Sequence, residues 1–428
     1  MNRKGTQREK CLVYTILKNK KWMLSVQDGT SKSGNRVKRL FLNNTRINSR
    51  EQKSTTPSSL SLEERRRRGN PTRINYYELN MYKLIYLVIT LIIIAEKLHA
   101  SSDEKPAGNI HGYVFGDYYY MLGSDTAQKR GNASYSSLQK NMNGFMLRRM
   151  FLYYDYNISD DVTSQILFET NEKSLDGNGH LGFFLKTAYV EWNDVIPNHS
   201  LSLGLIPSPT WVRSVAEKTW GYRVIEKTIV DLHSLGSGSD MGIAMRGNFR
   251  DNIGYNIMLG NGNGQKPENN KYKKMYANVN FKSGNFLFEA NGDYEPDAHG
   301  KEKTTMQFFT GFRIASLMFG AQAMEQIQKK FGANDEDIIP AGISVFGSVY
   351  LNPQFVCFAR VDFFNPDTKS DAIGYYETFT TFGFDYFPIK EFHIMPNFWL
   401  NVYKEKNKNI RKQSADIAGR MTFLFIFK

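Results

Sequence analysis

Hydrophobic and polar side chains alternate with a period of two through much of residues 101–428. In residues 285–295 one set is Phe286, Phe288, Ala290, Gly292 and Tyr294, and the opposite set is Asn285, Leu287, Glu289, Asn291 and Asp293. Successive side chains of a strand point to opposite faces, so this pattern predicts strands with one hydrophobic face. About sixteen such segments occur, roughly one per twenty residues, which leaves room for strands of about 9–11 residues plus connections.

The predicted connections alternate in length along the chain. Residues 159–161, 250–252 and 283–284 form short polar turns, whereas residues 124–141, 261–273 and 404–414 form long ones. Short turns at one rim and long loops at the other are typical of a membrane barrel. The sequence therefore predicts an all-β fold, a transmembrane antiparallel β-barrel of about sixteen strands. The alternative is a soluble two-layer β-sandwich, in which the hydrophobic face is the core.

Charge and cysteine content exclude several classes of protein. The formal net charge of the whole chain is +13, and residues 1–80 alone carry that surplus, whereas residues 101–428 have a net charge of −1. A basic nucleic-acid-binding domain is thus excluded for residues 101–428, and we expect no nucleic-acid partner. The only cysteines are Cys11 and Cys357, so residues 101–428 can form neither an internal disulfide nor a cysteine-rich zinc site.

The N-terminal hundred residues divide into two segments. Residues 1–80 are polar and basic, and they are interpreted as a disordered or mis-annotated upstream extension, with a nucleic-acid-binding arm as the alternative. Residues 81–100 contain a short basic start, a 12-residue apolar run at 84–95 and a small residue before Ser101. This order predicts a secretory signal peptide, and the run is too short for a spanning helix. The alternative is a short membrane-anchoring helix behind a disordered arm. Residues 101–428 are the predicted barrel domain.

Four stretches of the barrel region resemble the phosphate-selective porin O/P family of Gram-negative outer membranes, and the last of them resembles Bacteroidetes-type members. They are residues 145–156 (FMLRRMFLYYDY), 187–207 (TAYVEWNDVIPNHSLSLGLIP), 210–242 and 384–400 (FDYFPIKEFHIMPNFWL). The resemblance implies a sixteen-stranded trimeric porin that passes anions, with phosphate as the best-known cargo. The neutral barrel region departs from that pattern, because it offers no overall positive field, so any anion selectivity must be local.

The longest predicted connection, residues 207–239, is the candidate constriction loop. A loop of this length is either functional or partly helical, and residues 212–218 and 222–230 could each form a short helix. By strand count it has the position of the third porin loop, which folds into the lumen. We expect Arg213, Lys218 and Arg223 to face the lumen and attract anions. The alternative is a solvated loop surface with internal salt bridges.

Basic residues of the strands are the second set of candidates. The lumen-wall set is Arg149, Arg246, Arg313, Arg360 and Arg420. An arginine on the lipid face near the bilayer midplane costs about 2–4 kcal/mol, which favours an inward orientation. Arg148 and Arg149 are adjacent and cannot both point inward unless a bulge intervenes, so we expect one of them to lie at the membrane interface. Pro396 falls inside a predicted strand and cannot donate a ladder hydrogen bond, so a bulge is expected there.

Enzyme chemistry finds little support in the sequence, and an outer-membrane barrel hydrolase with dispersed catalytic groups is the alternative in this class. The histidines lack the HExxH spacing of a metal site, and the GxSxG motif of a nucleophile elbow does not occur. We predict no catalytic residues, no metal and no cofactor. The sequence instead predicts an outer-membrane porin that lies in outer-membrane lipid and passes small hydrophilic solutes and ions, and the resemblance implies that it is a homotrimer. The alternative is a non-conducting barrel that acts as an adhesin, a structural anchor or a binding protein.

Overall fold

The structure is a computed structural model that describes residues 28–30, 36–38, 107–125, 135, 138–172, 174–369 and 372–428. The chain divides into two units, Met1–Tyr86 and Leu87–Lys428. In the first unit, β1 (Asp28–Thr30) pairs with β2 (Arg36–Lys38) in antiparallel register. The predicted signal peptide at residues 81–100 lies outside the described residues.

The second unit contains sixteen antiparallel strands that close into one barrel. The last strand pairs with the first, so the sheet has no free edge. The strands are β3 (Ala107–Gly123), β4 (Asn143–Asn157), β5 (Val162–Asn171), β6 (Phe184–Ile196), β7 (His199–Pro207), β8 (Ser239–Arg250), β9 (Ile253–Gly260), β10 (Lys274–Ser283), β11 (Phe286–Pro296), β12 (Glu302–Ile314), β13 (Leu317–Lys329), β14 (Ala341–Asn352), β15 (Phe355–Asn365), β16 (Tyr375–Ile389), β17 (Phe392–Glu405) and β18 (Asp416–Phe427). The predicted strand number and fold class are confirmed.

The connections alternate in length around the barrel. Two residues join β10 to β11 and two join β12 to β13, whereas residues 208–238 join β7 to β8. Two single-turn 3-10 helices, Ala298–Gly300 and Ala333–Asp335, lie in long connections. The barrel therefore has a short-turn rim and a long-loop rim, as its sequence predicts. Within the described residues, no helix has both the length and the apolar character needed to cross a membrane.

The two faces of the barrel wall differ in chemistry. On β11 and β12 the outward side chains Phe288 and Phe308 are 41% and 62% exposed, while the inward Glu289 and Gln307 are buried. The same alternation recurs around the wall, so apolar side chains form the outside and polar side chains line the inside. This distribution is that of a barrel whose outer surface is covered by lipid.

The structure corrects two expectations about bulges in the strands. The pairing of β3 with β4 shifts between Phe115 and Gly116, opposite Arg148. This bulge turns both Arg148 and Arg149 inward, where each contacts a carboxylate, so the expectation that one lies at the interface is wrong.

At Pro396, by contrast, the expected bulge does not occur. The pairing of β17 with β18 runs through Pro396 without a shift, and the shift between β16 and β17 lies nearer the turn, between Tyr386 and Ile389. Phe384 and Asp385 have no ladder partner on β17. The missing N–H of proline thus interrupts the ladder locally and leaves the register unchanged.

Candidate functional site: the loop inside the lumen

Residues 208–238 form the loop that we call the inserted loop, and it contains two short helices. Helix α1 spans Val215–Trp220, and Ser214 caps its N-terminus by accepting a hydrogen bond from the Glu217 N–H at 3.1 Å. Gly221 ends α1 with a φ of 68°, a conformation that glycine adopts without strain. Glu289 of the barrel wall accepts hydrogen bonds from the first two N–H groups of α1, at 2.7 and 3.3 Å.

Helix α2 spans Ile229–Leu232, which is shorter and later than the helix predicted for residues 222–230. The backbone carbonyls of residues 224–227 accept hydrogen bonds from arginines of the barrel wall. Carbonyls that are held in this way are not available to continue a helical ladder, which explains the shortened helix.

Apolar contacts fix the inserted loop against the inside of the wall. Trp220 is fully buried and packs against Phe346 of β14 with 5.3 Å between ring centroids, and Ile225 is also fully buried in the same cluster. Ile229 and Val230 of α2 form a second cluster with Met324 and Phe364. Each buried aliphatic or aromatic side chain contributes about 1.5–3 kcal/mol, so these contacts hold the loop in the lumen.

Three buried wall arginines, which we call the arginine clamp, bind the same stretch of the inserted loop. Arg148 donates to the Val224 and Ile225 carbonyls at 2.8 and 3.1 Å, and Arg420 donates to the Ile225 carbonyl at 3.2 Å. Arg360 donates to the Lys227 carbonyl at 2.5 Å and also forms a bidentate ion pair with Asp362. Arg360 and Arg420 of the predicted lumen-wall set lie inside the barrel, where both guanidinium groups bind protein atoms.

One described residue of a second connection, Tyr135, also lies in the lumen, on the side of the arginine clamp. Tyr135, from the connection between β3 and β4, is fully buried and donates its hydroxyl hydrogen to Asp117. Its ring lies 5.0 Å from the guanidinium carbon of Arg420 and 5.7 Å from the Trp399 ring centroid. This side of the lumen is therefore filled by protein side chains.

The opposite side of the inserted loop faces a polar cavity of about 410 Å³, which we call the polar cavity. Three cations line it: Arg213 and Lys218 from the loop and Arg246 from β8. Glu191 forms a bidentate ion pair with Arg246 and lies 3.5 Å from Arg213. With one carboxylate to three cations, these four side chains carry a formal excess of positive charge.

Asparagines form much of the remaining wall of the polar cavity. Asn256, Asn278 and Asn280 line it from β9 and β10. The Asn256 Oδ1 atom is buried without a hydrogen-bond partner, and so is one terminal nitrogen of Arg213. Unpaired buried polar atoms are rare and mark a place where a solute or water can bind.

The three predicted anion contacts of the inserted loop differ in their surroundings. Lys218 is exposed to the cavity and has no carboxylate within 4 Å among the described residues. Burial, together with repulsion from Arg213, lowers the pKa of Lys218. Arg223 instead pairs with Glu217 at 2.8 Å and Asp231 at 2.5 Å.

Arg223 is therefore part of the loop's internal structure. Burial lowers the pKa of Arg223, but the carboxylates of Asp231 and Glu217 raise it by more, so that it lies well above its usual range. This arrangement matches the alternative of internal salt bridges. We therefore leave Arg223 out of the proposed anion contacts.

The remaining wall arginines also differ from one another. Arg149 lies 3.5 Å from Glu169, which Lys186 contacts as well, at 3.1 Å. Arg313 is exposed near the short-turn rim, and within the described part of the chain no carboxylate lies within 4 Å of it. Arg149 is thus paired in the structure, while Arg313 is open to the lumen.

Several residues of the site were not predicted from the sequence. Arg148 and Tyr135 close one side of the lumen, and five asparagines form part of the wall of the polar cavity. Two adjacent arginines in a strand could have indicated a bulge, because both are inward only if the alternation is interrupted. No local pattern marks Tyr135. Among the described residues, no cluster of three or more histidine, cysteine or acidic side chains could hold a metal ion.

Solved structures share this architecture at low sequence identity. The outer membrane channel DcaP of Acinetobacter baumannii superposes with a TM-score of 0.56 at 15% identity, covering 77% of this chain and 99% of that chain. The anion-selective porin from Comamonas acidovorans gives 0.53 at 11% identity, covering 76% of this chain and 100% of that chain. The trimer form of in-vitro folded OmpT of Vibrio cholerae gives 0.50 at 12% identity, covering 76% and 100%.

The fold is that of an outer-membrane porin. No protein-family model and no curated protein sequence matches the chain. The superpositions and the closed sixteen-stranded barrel establish the porin fold, whereas membership of the porin O/P family remains a prediction. In this porin fold the inserted loop lies between β7 and β8, the fifth and sixth strands of the barrel, as the strand count predicts.

Proposed function

We propose that the protein is an outer-membrane porin through which small hydrophilic solutes diffuse passively, with a preference for anions. The observation that carries the proposal is the polar cavity, which Arg213, Lys218 and Arg246 line inside a closed barrel. The proposed path runs along this cavity, because the arginine clamp and Tyr135 fill the opposite side of the lumen.

Anion preference in this proposal comes from local charge. The barrel region is nearly neutral overall, so its net charge cannot select ions. Charged side chains that line a narrow aqueous space act strongly on permeant ions, because they act at close range. Lys218 is central in this respect, since it is open to the cavity and forms no ion pair with the residues that the structure describes. Phosphate is among the anions that the proposed path would pass.

The proposal includes the cellular setting of the porin. We expect export through the signal peptide at residues 81–100 and insertion into the outer membrane as a homotrimer. The apolar outer face of the wall supports a lipid environment. The trimer form of the structurally similar OmpT supports the homotrimer. Cross-linking of the protein in outer-membrane fractions checks both points: a species of three chains is expected, and recovery in the periplasmic fraction would contradict the proposal.

Planar-bilayer recording tests the channel directly. The purified protein is expected to produce stable conductance steps, and in a salt gradient its reversal potential is expected to have the sign of anion preference. Combined replacement Arg213→Gln, Lys218→Gln and Arg246→Gln removes the three cavity cations and is expected to shift the reversal potential toward cations. Lys408→Gln, an exposed lysine between β17 and β18, is the matched control and is expected to leave selectivity unchanged.

Two results would contradict parts of the proposal. Absence of conductance, where a control porin opens, would favour the non-conducting barrel that acts as an adhesin, a structural anchor or a binding protein. An unchanged reversal potential in the triple variant would remove the polar cavity from the selectivity mechanism, even if the channel conducts.

A further inference from the structure

A second cavity of about 350 Å³ lies on the other side of α1, in the half of the lumen near the short turns; we call it the amphipathic cavity. Lys218 lines both this cavity and the polar cavity, and the other lining residues of the two cavities differ. Its lining combines cations with large apolar side chains, whereas asparagines dominate the polar cavity. The two sides of α1 therefore offer different surroundings to a bound solute.

In the amphipathic cavity, the charged side chains that form no ion pair with the described residues are both cations. Lys218 and Arg313 line it, and neither has a carboxylate within 4 Å among the residues that the structure describes. The one carboxylate of the lining, Asp385, already pairs with His393 at 2.8 Å and accepts from the Tyr222 hydroxyl at 3.4 Å. An anionic group that enters this cavity therefore meets two unpaired cations.

The floor of the amphipathic cavity is apolar and rigid. Trp220, Met318 and Met395 are buried side chains of the lining, and Leu424 is partly buried beside them. Trp220 is fixed by ring contacts, including an edge-to-face contact with Tyr222 at 5.7 Å. Ligand sites of this size commonly combine such apolar walls with a few polar groups that orient the ligand.

We infer that the amphipathic cavity binds small organic anions that carry one anionic head and an apolar body about the size of a phenyl ring. The head contacts Lys218 and Arg313, and the body packs on Met318, Met395 and Leu424. This inference rests on the proposed function, because the solute reaches the cavity through the lumen. It goes further than general anion passage, because hydrated inorganic anions gain nothing from an apolar floor.

Calorimetric titration of the full chain in detergent, with phenylacetate and acetate as probes, tests the inference. Phenylacetate is expected to bind at least about tenfold more tightly than acetate, since burial of a phenyl ring stabilises the complex by more than 1.4 kcal/mol, which is a factor of ten. Arg313→Gln is expected to weaken the binding of both probes several-fold. Leu424→Asn is expected to weaken phenylacetate binding and to leave acetate binding unchanged. Lys408→Gln changes an exposed cation between β17 and β18 that lines neither cavity, and it is the matched control.

The possible results separate the two proposals. Equal affinities for the two probes, or wild-type affinity in Arg313→Gln, would overturn the inference, whether or not the protein conducts. Preferential binding of phenylacetate that depends on Arg313 and Leu424 supports it. If that binding occurs in a protein that gives no conductance, the amphipathic cavity stands and the channel proposal fails.

Discussion

Arg360 is the most informative single position for testing how the inserted loop is held. Its side chain and that of Asp362 are both fully buried, and they form a bidentate ion pair. Arg360 also donates to the Lys227 carbonyl, and its guanidinium carbon lies 5.4 Å from the Trp220 ring centroid. Arg360→Met removes all of these interactions while preserving most of the side-chain volume.

The expected loss of stability follows from the buried carboxylate that remains. Removal of one partner from a buried ion pair costs about 3–5 kcal/mol, because the other charge is left without compensation. The double variant Arg360→Met with Asp362→Leu removes both charges. The hydrogen bond to the Lys227 carbonyl is still lost, at about 1–3 kcal/mol, together with the guanidinium contact on the Trp220 ring. The double variant is therefore expected to be more stable than the single one.

Arg420→Met provides the comparison within the arginine clamp. Arg420 donates to the Asn397 side chain at 2.7 Å and to the Ile225 carbonyl, and within the described residues no carboxylate lies within 4 Å of it. Its loss is expected to cost about 1.5–3 kcal/mol, the usual value for hydrogen bonds to a charged group. Arg360→Met should therefore be the more damaging of the two single replacements.

Urea-induced unfolding of the refolded barrel in lipid vesicles, followed by tryptophan fluorescence, measures these differences in the free energy of unfolding. Current noise in single-channel recordings gives a second readout, since a loosened inserted loop is expected to increase fluctuations of the open level. A cost below 1 kcal/mol for Arg360→Met, or no recovery in the double variant, would refute the role assigned to the buried ion pair.

Three further predictions address the wall, the pH response and the inserted loop. Val279→Arg puts a charge on the lipid face and is expected to destabilise the barrel by about 2–4 kcal/mol. Asn280, the next residue, faces the lumen, so Asn280→Arg should cost far less. Equal costs in urea-induced unfolding would contradict the assigned faces. Burial and the charge of Arg360 lower the pKa of His233 from 6.5 to about 3, so stability is expected to fall as pH drops from 6.5 toward 3, by about 1.4 kcal/mol per pH unit; His233→Phe, which retains the stack on Phe364, should lack this slope in pH-dependent unfolding. Gly221→Ala forces a φ of 68° on a residue with a Cβ and should cost about 1–2 kcal/mol in the same unfolding assay; an unchanged free energy of unfolding would contradict the strain assigned to this turn.

The barrel itself was predictable because its determinants are local. Alternation along each strand reports the faces of the wall, and connection length reports the rims, so residues such as Phe288 and Glu289 could be assigned to the outside and the inside from sequence spacing alone. The position of the inserted loop followed from strand count. The adjacent pair Arg148 and Arg149 was the exception, because a bulge moves one residue out of the alternation.

The contacts made by the inward-facing cationic side chains were not predictable, because their partners are distant in the sequence. Arg360 meets the Lys227 carbonyl across 133 residues, and Arg420 meets the Ile225 carbonyl across 195. Arg223 has the same charge as Lys218, yet its two carboxylate partners remove it from the lumen-facing set. The sequence by itself determined which side chains point into the barrel, because strand geometry has a period of two. Only the tertiary structure decided which inward charges hold the inserted loop and which remain open to solutes, because pairing depends on which groups closure of the barrel brings within a few ångströms.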